Sequence, residues 1–320
     1  MKAIVYTKYG SPDVLGLKEV EKPTPRDNEV LIKVHAASIN SWDYDLLRGT
    51  FQGRIGAFRK PRWEILGCDI AGIVEAVGKD VKNFKKGDRV FGDISQCGGG
   101  GFAEYICARE NALTLKPAKM TFEQAAAIPQ GGLLALQGLR KGKIQKGQKV
   151  LINGAGGAGG TFAIQLAKHL GAAEITGVDS TEKLDTLKSL GCDYVIDYTK
   201  EDFTKNGKHY DLILDVKSTR SVFDYKRALS ANGIYVTVGG NTFSVFQVML
   251  LGPLISGSKK VCILIHRPNK GLDVMKELFE KGKVKPVIDK IFPLSKVPEA
   301  FRYFGEGHFK GKIVISVGHT

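Results

Sequence analysis

Beyond residue 149 the apolar positions fall into short unbroken runs separated by stretches of helical spacing. The runs 150–153, 175–178, 194–197, 212–216, 234–238 and 261–265 read as strands. Between them, 161–170, 182–190 and 224–229 carry the helical pattern. In the first of these, Ala163, Leu166, Ala167 and Leu170 share one face, and Gly171 stands where a C-terminal capping glycine belongs. Strands that are apolar throughout, alternating with helices, predict a parallel sheet covered on both faces. Six of them make a complete doubly wound Rossmann sheet. A further helix is predicted over 271–281.

The first 120 residues are patterned differently. Residues 29–37 alternate polar and apolar, as a half-buried strand does, and 2–6, 70–77, 89–92 and 102–107 are strand-like runs between glycine turns. Short strands at this spacing predict a β-barrel-like domain. The stretch 41–64 breaks the pattern, interleaving Trp42, Tyr44, Phe51, Phe58 and Trp63 with Arg48, Arg54, Arg59, Lys60 and Arg62. It reads either as a lid that sandwiches a flat substrate, its arginines meeting an anion, or as a short helix with core aromatics. Thr121 and Gln124 form a capping box opening a helix. The tail returns to strands at 287–292 and 313–317, with a helix over 296–304, and is expected to rejoin the first domain. The division expected is 1–122 with 283–320, and 123–282.

Candidate chemistry starts at the end of the first parallel strand. Gly154, Gly156 and Gly159 give G-x-G-x-x-G; Gly154, Gly157 and Gly160 give a second register, G-x-x-G-x-x-G. Strand, glycine turn and helix leave backbone N–H groups at a positive helix end with no Cβ in the way, which suits a diphosphate. The next strand ends at Asp179, 19 residues past Gly160, where an acid bonds the adenosine ribose. No Lys-Ser/Thr pair follows the glycines, which argues against a P-loop.

Composition narrows this little. The 320 residues are 43% apolar and 25% charged, as in globular proteins. The longest apolar stretch, 245–255, is broken by Gln247, Gly252 and Pro253, so no membrane span is expected. The start reads as a strand and not as a signal peptide. Five scattered cysteines without C-x-x-C read as reduced thiols of a cytoplasmic protein. The net charge of +14 comes with no dense basic block, so it suits phosphate-bearing cofactors better than nucleic acid.

Several motifs run in a fixed order over the whole chain: Tyr9-Gly10-Ser11-Pro12-Asp13-Val14-Leu15, Ala36-Ala37-Ser38-Ile39-Asn40, Gly67-Cys68-Asp69-Ile70-Ala71-Gly72, Lys86-Gly87-Asp88-Arg89-Val90, Gly101-Phe102-Ala103-Glu104-Tyr105, Ala125-Ala126-Ala127-Ile128-Pro129, the glycine turn, Gly191-Cys192-Asp193-Tyr194 and Gly311-Lys312-Ile313-Val314. In these the chain resembles the medium-chain dehydrogenase/reductase superfamily, and within it the zinc-free quinone oxidoreductase branch. The resemblance implies a GroES-like β-barrel domain beside the Rossmann domain, a cleft between them, and a homodimer, with the 261–265 strand pairing across subunits. Zinc relatives place Cys, His and Cys at positions matching Asn40, Cys68 and Gln130. One thiol among three does not make a zinc site, so no metal is expected. Without Zn²⁺ no alkoxide is stabilised, which favours hydride transfer from NAD(P)H to quinones or other activated carbonyl and alkene acceptors. The alternatives are an enone or alkenal double-bond reductase, an alcohol dehydrogenase, and a non-catalytic NADPH-binding protein with RNA affinity.

The resemblance also assigns residues. Asn40 faces the nicotinamide end and is catalytic, and Tyr44 is a candidate proton donor, one place away from the family tyrosine. The cofactor would be held by Asn40, Gly154, Gly156, Gly157, Ala158, Gly159, Asp179, Ser180, Thr181, Lys183, Tyr198, Gly239 and Gly240. Asp179 favours NADH; Ser180, Thr181 and Lys183 resemble a 2′-phosphate site. The expectation is NADPH, with NADH as the alternative.

Overall fold

The alternating stretch after Asp27 becomes the central strand of one sheet, and the apolar runs after residue 149 become a second. The computed structural model describes residues 1–51, 53, 54, 57–240 and 242–318. The chain divides into two units, Met1–Gln130 with Pro268–Glu280 and Pro286–Thr320, and Gly131–Arg267 with Lys281–Lys285.

The first unit begins with a ribbon of β1 (Lys2–Val5) and β2 (Gly16–Glu19). Then come β3 (Glu29–Ser38), α1 (Ser41–Arg48), β4 (Asp69–Val77), β5 (Arg89–Asp93), β6 (Tyr105–Arg109), β7 (Thr114–Leu115) and α2 (Phe122–Ala126). Helix α3 (Pro129–Lys141) leads into the second unit, which holds β8 (Lys149–Asn153), α4 (Ala158–His169), β9 (Glu174–Asp179), α5 (Leu184–Leu190), β10 (Tyr194–Asp197), β11 (Tyr210–Asp215), α6 (Val222–Arg227), β12 (Leu229–Thr237), α7 (Thr242–Ile255) and β13 (Lys260–Ile263). The chain returns to the first unit with α8 (Leu272–Glu280), β14 (Ile288–Pro293), α9 (Val297–Glu306) and β15 (Lys312–Ser316).

In the first unit the strand order is β14-β15-β3-β4-β5-β7, with β6 also on β3. The tail rejoins this sheet as expected: β15 lies antiparallel on β3, Ile315 opposite Ala37. The core contains Ile4, Val30, Ile32, Val34, Ile70, Phe102, Phe301 and Ile313. The division falls after Gln130, where the sequence reading began the second domain at 123. The cause is α2, which packs on β3 and β4. Residues 268–280 likewise sit with the first unit, because Asn269 exchanges two hydrogen bonds with the Asp93 backbone, at 2.8 and 2.7 Å.

The second unit is a six-stranded sheet, every pairing parallel, in the order β10-β9-β8-β11-β12-β13. Numbered from β8 this is the doubly wound order 3-2-1-4-5-6, with its switch point between β8 and β11. Val150, Leu151 and Ile152 are fully buried, as are Leu212, Ile213 and Leu214, so helices cover both faces. Helix α7 was not foreseen. It is apolar all round, exposes Phe243, Phe246, Met249, Leu250 and Leu254, and packs on the edge strand β13. Among the described residues no helix is long and apolar enough to cross a membrane.

Candidate functional site

The glycine turn after β8 shows what each glycine does. Gly154 has φ +77°, open to few other residues. A Cβ on Gly160 would lie 2.2 Å from the Gly154 carbonyl oxygen and 2.5 Å from Ala155 Cα, so α4 can sit against the turn only without it. At Gly156 a Cβ would meet Lys183 Cδ at 2.7 Å and Asp179 Oδ2 at 3.1 Å. Gly157 and Gly159 tolerate one, with nearest atoms at 3.6 and 3.4 Å. The demanding positions, 154, 156 and 160, therefore straddle the two registers seen in the sequence. Gly157 caps α4 in an extended conformation. The N–H groups of Ala158, Gly159 and Gly160 then have no intrahelical acceptor, and together with the helix dipole they form an anion cradle.

Asp179, at the end of β9, is drawn into this turn. Its carboxylate accepts the Gly156 N–H at 2.7 Å and the Ser180 N–H at 2.9 Å, and Lys183 Nζ lies 3.6 Å away. Lys183 is buried, not a solvated residue of a first helical turn. The Ser180 hydroxyl donates to Glu182 at 3.2 Å, and the Thr181 hydroxyl donates to Asp197. Bonds from Thr181 and Thr199 hold Asp197 down at about 2. Tyr198 follows β10 with its ring half exposed, its N–H on the Asp179 carbonyl at 3.2 Å. Gly239 faces open space, whereas Gly240, φ +144°, is pressed against Ser218.

In the first unit, Asn40 caps α1. Its N–H donates to Asp43 at 2.9 Å, and Asp43 also accepts the Gly67 N–H at 3.0 Å. Burial pushes the Asp43 carboxyl up to about 7. The Asn40 side chain meets a residue that stands in one of the family motifs but has no role assigned from the sequence. Lys312, from β15, donates from Nζ to Asn40 Oδ1 at 2.7 Å, to Asp69 Oδ2 at 3.2 Å and to the Ile39 carbonyl at 3.3 Å. Asp69 also accepts the Gln130 N–H, at 3.1 and 3.2 Å to its two oxygens. Lys312 is 1% exposed and Asp69 fully buried. Burial raises the Asp69 pKa and Lys312 opposes the rise. Asn40 Nδ2 is buried with no partner among the described residues.

These neighbours do not fit Zn²⁺. Asn40 Oδ1 already faces an ammonium, Gln130 and Asn40 bring amides, and burial with the nearby carboxylates pushes the Cys68 thiol well up, away from thiolate. Among the described residues no group of three or more His, Cys, Asp or Glu is placed to hold a metal ion.

One face of α1 lines a pocket of about 450 Å³, where Trp42 and Leu46 meet Tyr6, Tyr9, Pro61 and Trp63. Burial raises the Tyr6 pKa further above its usual value, so the hydroxyl stays protonated. Three of the four arginines of the 41–64 stretch lie over aromatic rings: Arg54 over Tyr9, Arg62 over Trp63 and Arg48 over Tyr44. Tyr44 turns from the pocket into an aromatic cluster, with ring centroids 6.4 Å from Phe301 and 5.4 Å from Phe304, and its hydroxyl beside Gly305. The structure thus joins Asn40 to Lys312 and Asp69 and sends Tyr44 elsewhere. The sequence signal for Lys312 is its place in the Gly311-Lys312-Ile313-Val314 motif, at the entry to the closing strand, and for Tyr6 an aromatic at the end of the first strand-like run.

Comparison with known proteins agrees with this geometry. Residues 26–118 match the alcohol dehydrogenase GroES-like domain, and residues 190–315 match a family described as zinc-binding dehydrogenase. A 2-methylene-furan-3-one reductase of Solanum lycopersicum is 38% identical, over 98% of this chain and 79% of that protein. A chloroplastic NADPH-dependent alkenal/one oxidoreductase of Arabidopsis thaliana is 36% identical over the same shares. The solved quinone oxidoreductase from Coxiella burnetii superposes with a TM-score of 0.88 at 31% identity, covering 99% of both chains.

Proposed function

Since the chain belongs to the quinone oxidoreductase branch of the medium-chain dehydrogenase/reductase superfamily, we propose that it is an NADPH-dependent reductase of quinones and conjugated enones that works without zinc. The observation that carries this is Asn40: its Nδ2 is buried with no partner among the described residues, while its Oδ1 is taken by the Lys312 ammonium and not free for a metal. Bound NADPH supplies the hydride. The turn at 154–160 holds the diphosphate on the free N–H groups of α4. Tyr198 borders the adenine, and Gly239 leaves room for the nicotinamide end. Lys183, Ser180 and Thr181 receive the 2′-phosphate. The Asp179 charge that would repel it is taken up by two backbone N–H groups and Lys183. The flat acceptor enters the aromatic pocket, where Tyr6 is a protonated donor. Asn40 Nδ2 donates to the carbonyl oxygen on which charge develops, and preorganised donors of this kind contribute most where water is excluded.

We further propose a homodimer formed through the edge strand β13 and the exposed face of α7, since both leave bonding or apolar surface unmet within one chain. The five free thiols support placing the enzyme in the reducing cytoplasm. NADPH oxidation with a panel of quinones and enones tests the activity; no turnover with any of them overturns it. Cofactor titration tests the choice of NADPH. It should bind about tenfold or more tighter than NADH, the scale of one charge-assisted hydrogen bond, and Lys183→Ala should abolish the difference. A tighter NADH constant in the parent protein overturns this choice.

A further inference from the structure

We propose that Lys312 is a positioning residue: it fixes the Asn40 carboxamide in one of its two orientations and so turns the amide hydrogens toward the reacting carbonyl. This rests on the reductase reading above. A carboxamide can present either its oxygen or its nitrogen after a half-turn, and the two ends are nearly the same size. An ammonium decides between them, because it has hydrogens to give and no lone pair to receive. Lys312 Nζ has three oxygens within reach, on Asn40, Asp69 and Ile39, which accounts for all three of its hydrogens. The shortest of these bonds, 2.7 Å, is to Asn40 Oδ1. Half-turned, the amide would put Nδ2 against that ammonium and lose the bond. With the oxygen held, Nδ2 is left buried and without a hydrogen-bond partner among the described residues.

The other side of the arrangement explains why Lys312 does not wander. Its Nζ is anchored on Asp69, which is itself fastened by the Gln130 N–H. Beside Asp69 at 3.4 Å, the Ser38 hydroxyl gives its one hydrogen to the Ala126 carbonyl at 2.8 Å. The surroundings of Lys312 from α2 and α3 to Asn40 are thus polar and buried, and Asn40 Nδ2 is a donor there without a partner among the described residues.

The test compares the full-length protein with Asn40→Ala, with the pair Asp69→Asn/Lys312→Met, and with all three changes together. The pair removes both charges, so neither is left buried without its partner. If Lys312 acts through Asn40, Asn40→Ala and the paired variant each lower kcat about tenfold or more with a quinone and NADPH, the scale of one charge-assisted hydrogen bond. The triple variant then loses no more than either. Losses that multiply in the triple variant overturn the inference and leave Lys312 a structural residue. A second readout needs no turnover. In ¹⁵N-labelled protein the Asn40 amide pair, identified by its loss in Asn40→Ala, is sharp and slow to exchange, and it broadens in the paired variant. An unchanged pair overturns the inference even if an acceptor is reduced. Failure of the reductase reading shows instead as a parent protein that oxidises no NADPH.

Discussion

Replacing Gly160 by alanine, with Gly159→Ala as its partner, asks whether the turn is held together as the coordinates imply. Both glycines lie in the first turn of α4, one residue apart. A methyl at 159 meets Val216 at 3.4 Å, an ordinary contact. Gly→Ala at a tolerant position stabilises by roughly 0.4–1 kcal/mol, chiefly through the unfolded chain. A methyl at 160 would sit 2.2 Å from the Gly154 oxygen and 2.5 Å from Ala155 Cα. Neither atom is a movable side-chain tip, so α4 must shift off the turn. Overpacking of a tight core costs about 1–3 kcal/mol, and backbone on both sides puts this case at about 3 or above. At about 2–4 °C per kcal/mol, Gly160→Ala should lower the Tm of the second unit by about 6–12 °C, while Gly159→Ala should raise it by up to about 4 °C. Scanning calorimetry with and without NADPH measures both, and the cofactor should lose most of its stabilising increment in Gly160→Ala alone. Equal shifts in the two variants, or a parent-like Gly160→Ala that still binds NADPH, would refute the assignment of the close approach to 160.

Two further outcomes are expected. The chain has only two tryptophans, Trp42 and Trp63, and both line the aromatic pocket, so a bound quinone should quench most of the intrinsic fluorescence; Trp63→Ala should raise the acceptor KM severalfold without changing the NADPH constant, and unquenched emission at saturating quinone would remove the acceptor from this pocket. Asp43 makes stability depend on pH. Its folded pKa, about 7, lies above its ordinary 3.8, so the native state binds more protons than the unfolded chain in between. The contribution is in full force below about pH 4, falls as pH rises, and is gone above about 7; urea unfolding across that window should show the decline in the parent and a flatter profile in Asp43→Asn.

The sheet of the second unit was legible because its strands are buried on both faces and therefore apolar throughout; their ends lie within a few residues of the runs read from the sequence. The tail is assigned to the first unit on a different ground, that chain termini commonly lie near each other, and β15 does pair with β3. Helix α7 was hidden by its own composition: Phe243, Phe246, Met249, Leu250 and Leu254 leave no polar face to set a period, and Gly252 and Pro253 read as breaks. Pro253 lies in the last turn, so the hydrogen bond it removes and any bend it imposes affect only the final residues of the helix. At the site, the spacing of Asp179 from the glycines located the acid but not its state, which depends on the burial of Lys183. Lys312 and Asp69 could not be paired from sequence, being 243 positions apart. No local pattern spans that distance.

That separation bears on how the molecule comes to be. The whole of the second unit lies between the sequence that supplies Asn40, Asp69 and β3 and the sequence that supplies β14 and β15. A growing chain therefore has the whole parallel sheet available to fold while the first unit still waits for two strands. Until β15 arrives, Asp69 lacks its counter-charge and the Ala36–Ser38 end of β3 is open on one side, since β6 pairs only with Glu29–Lys33. Contacts of such long range are slow to close, and an open strand edge is the usual route to mispairing. The acceptor side of the molecule is thus expected to be the last part to mature and the part most in need of protection during synthesis.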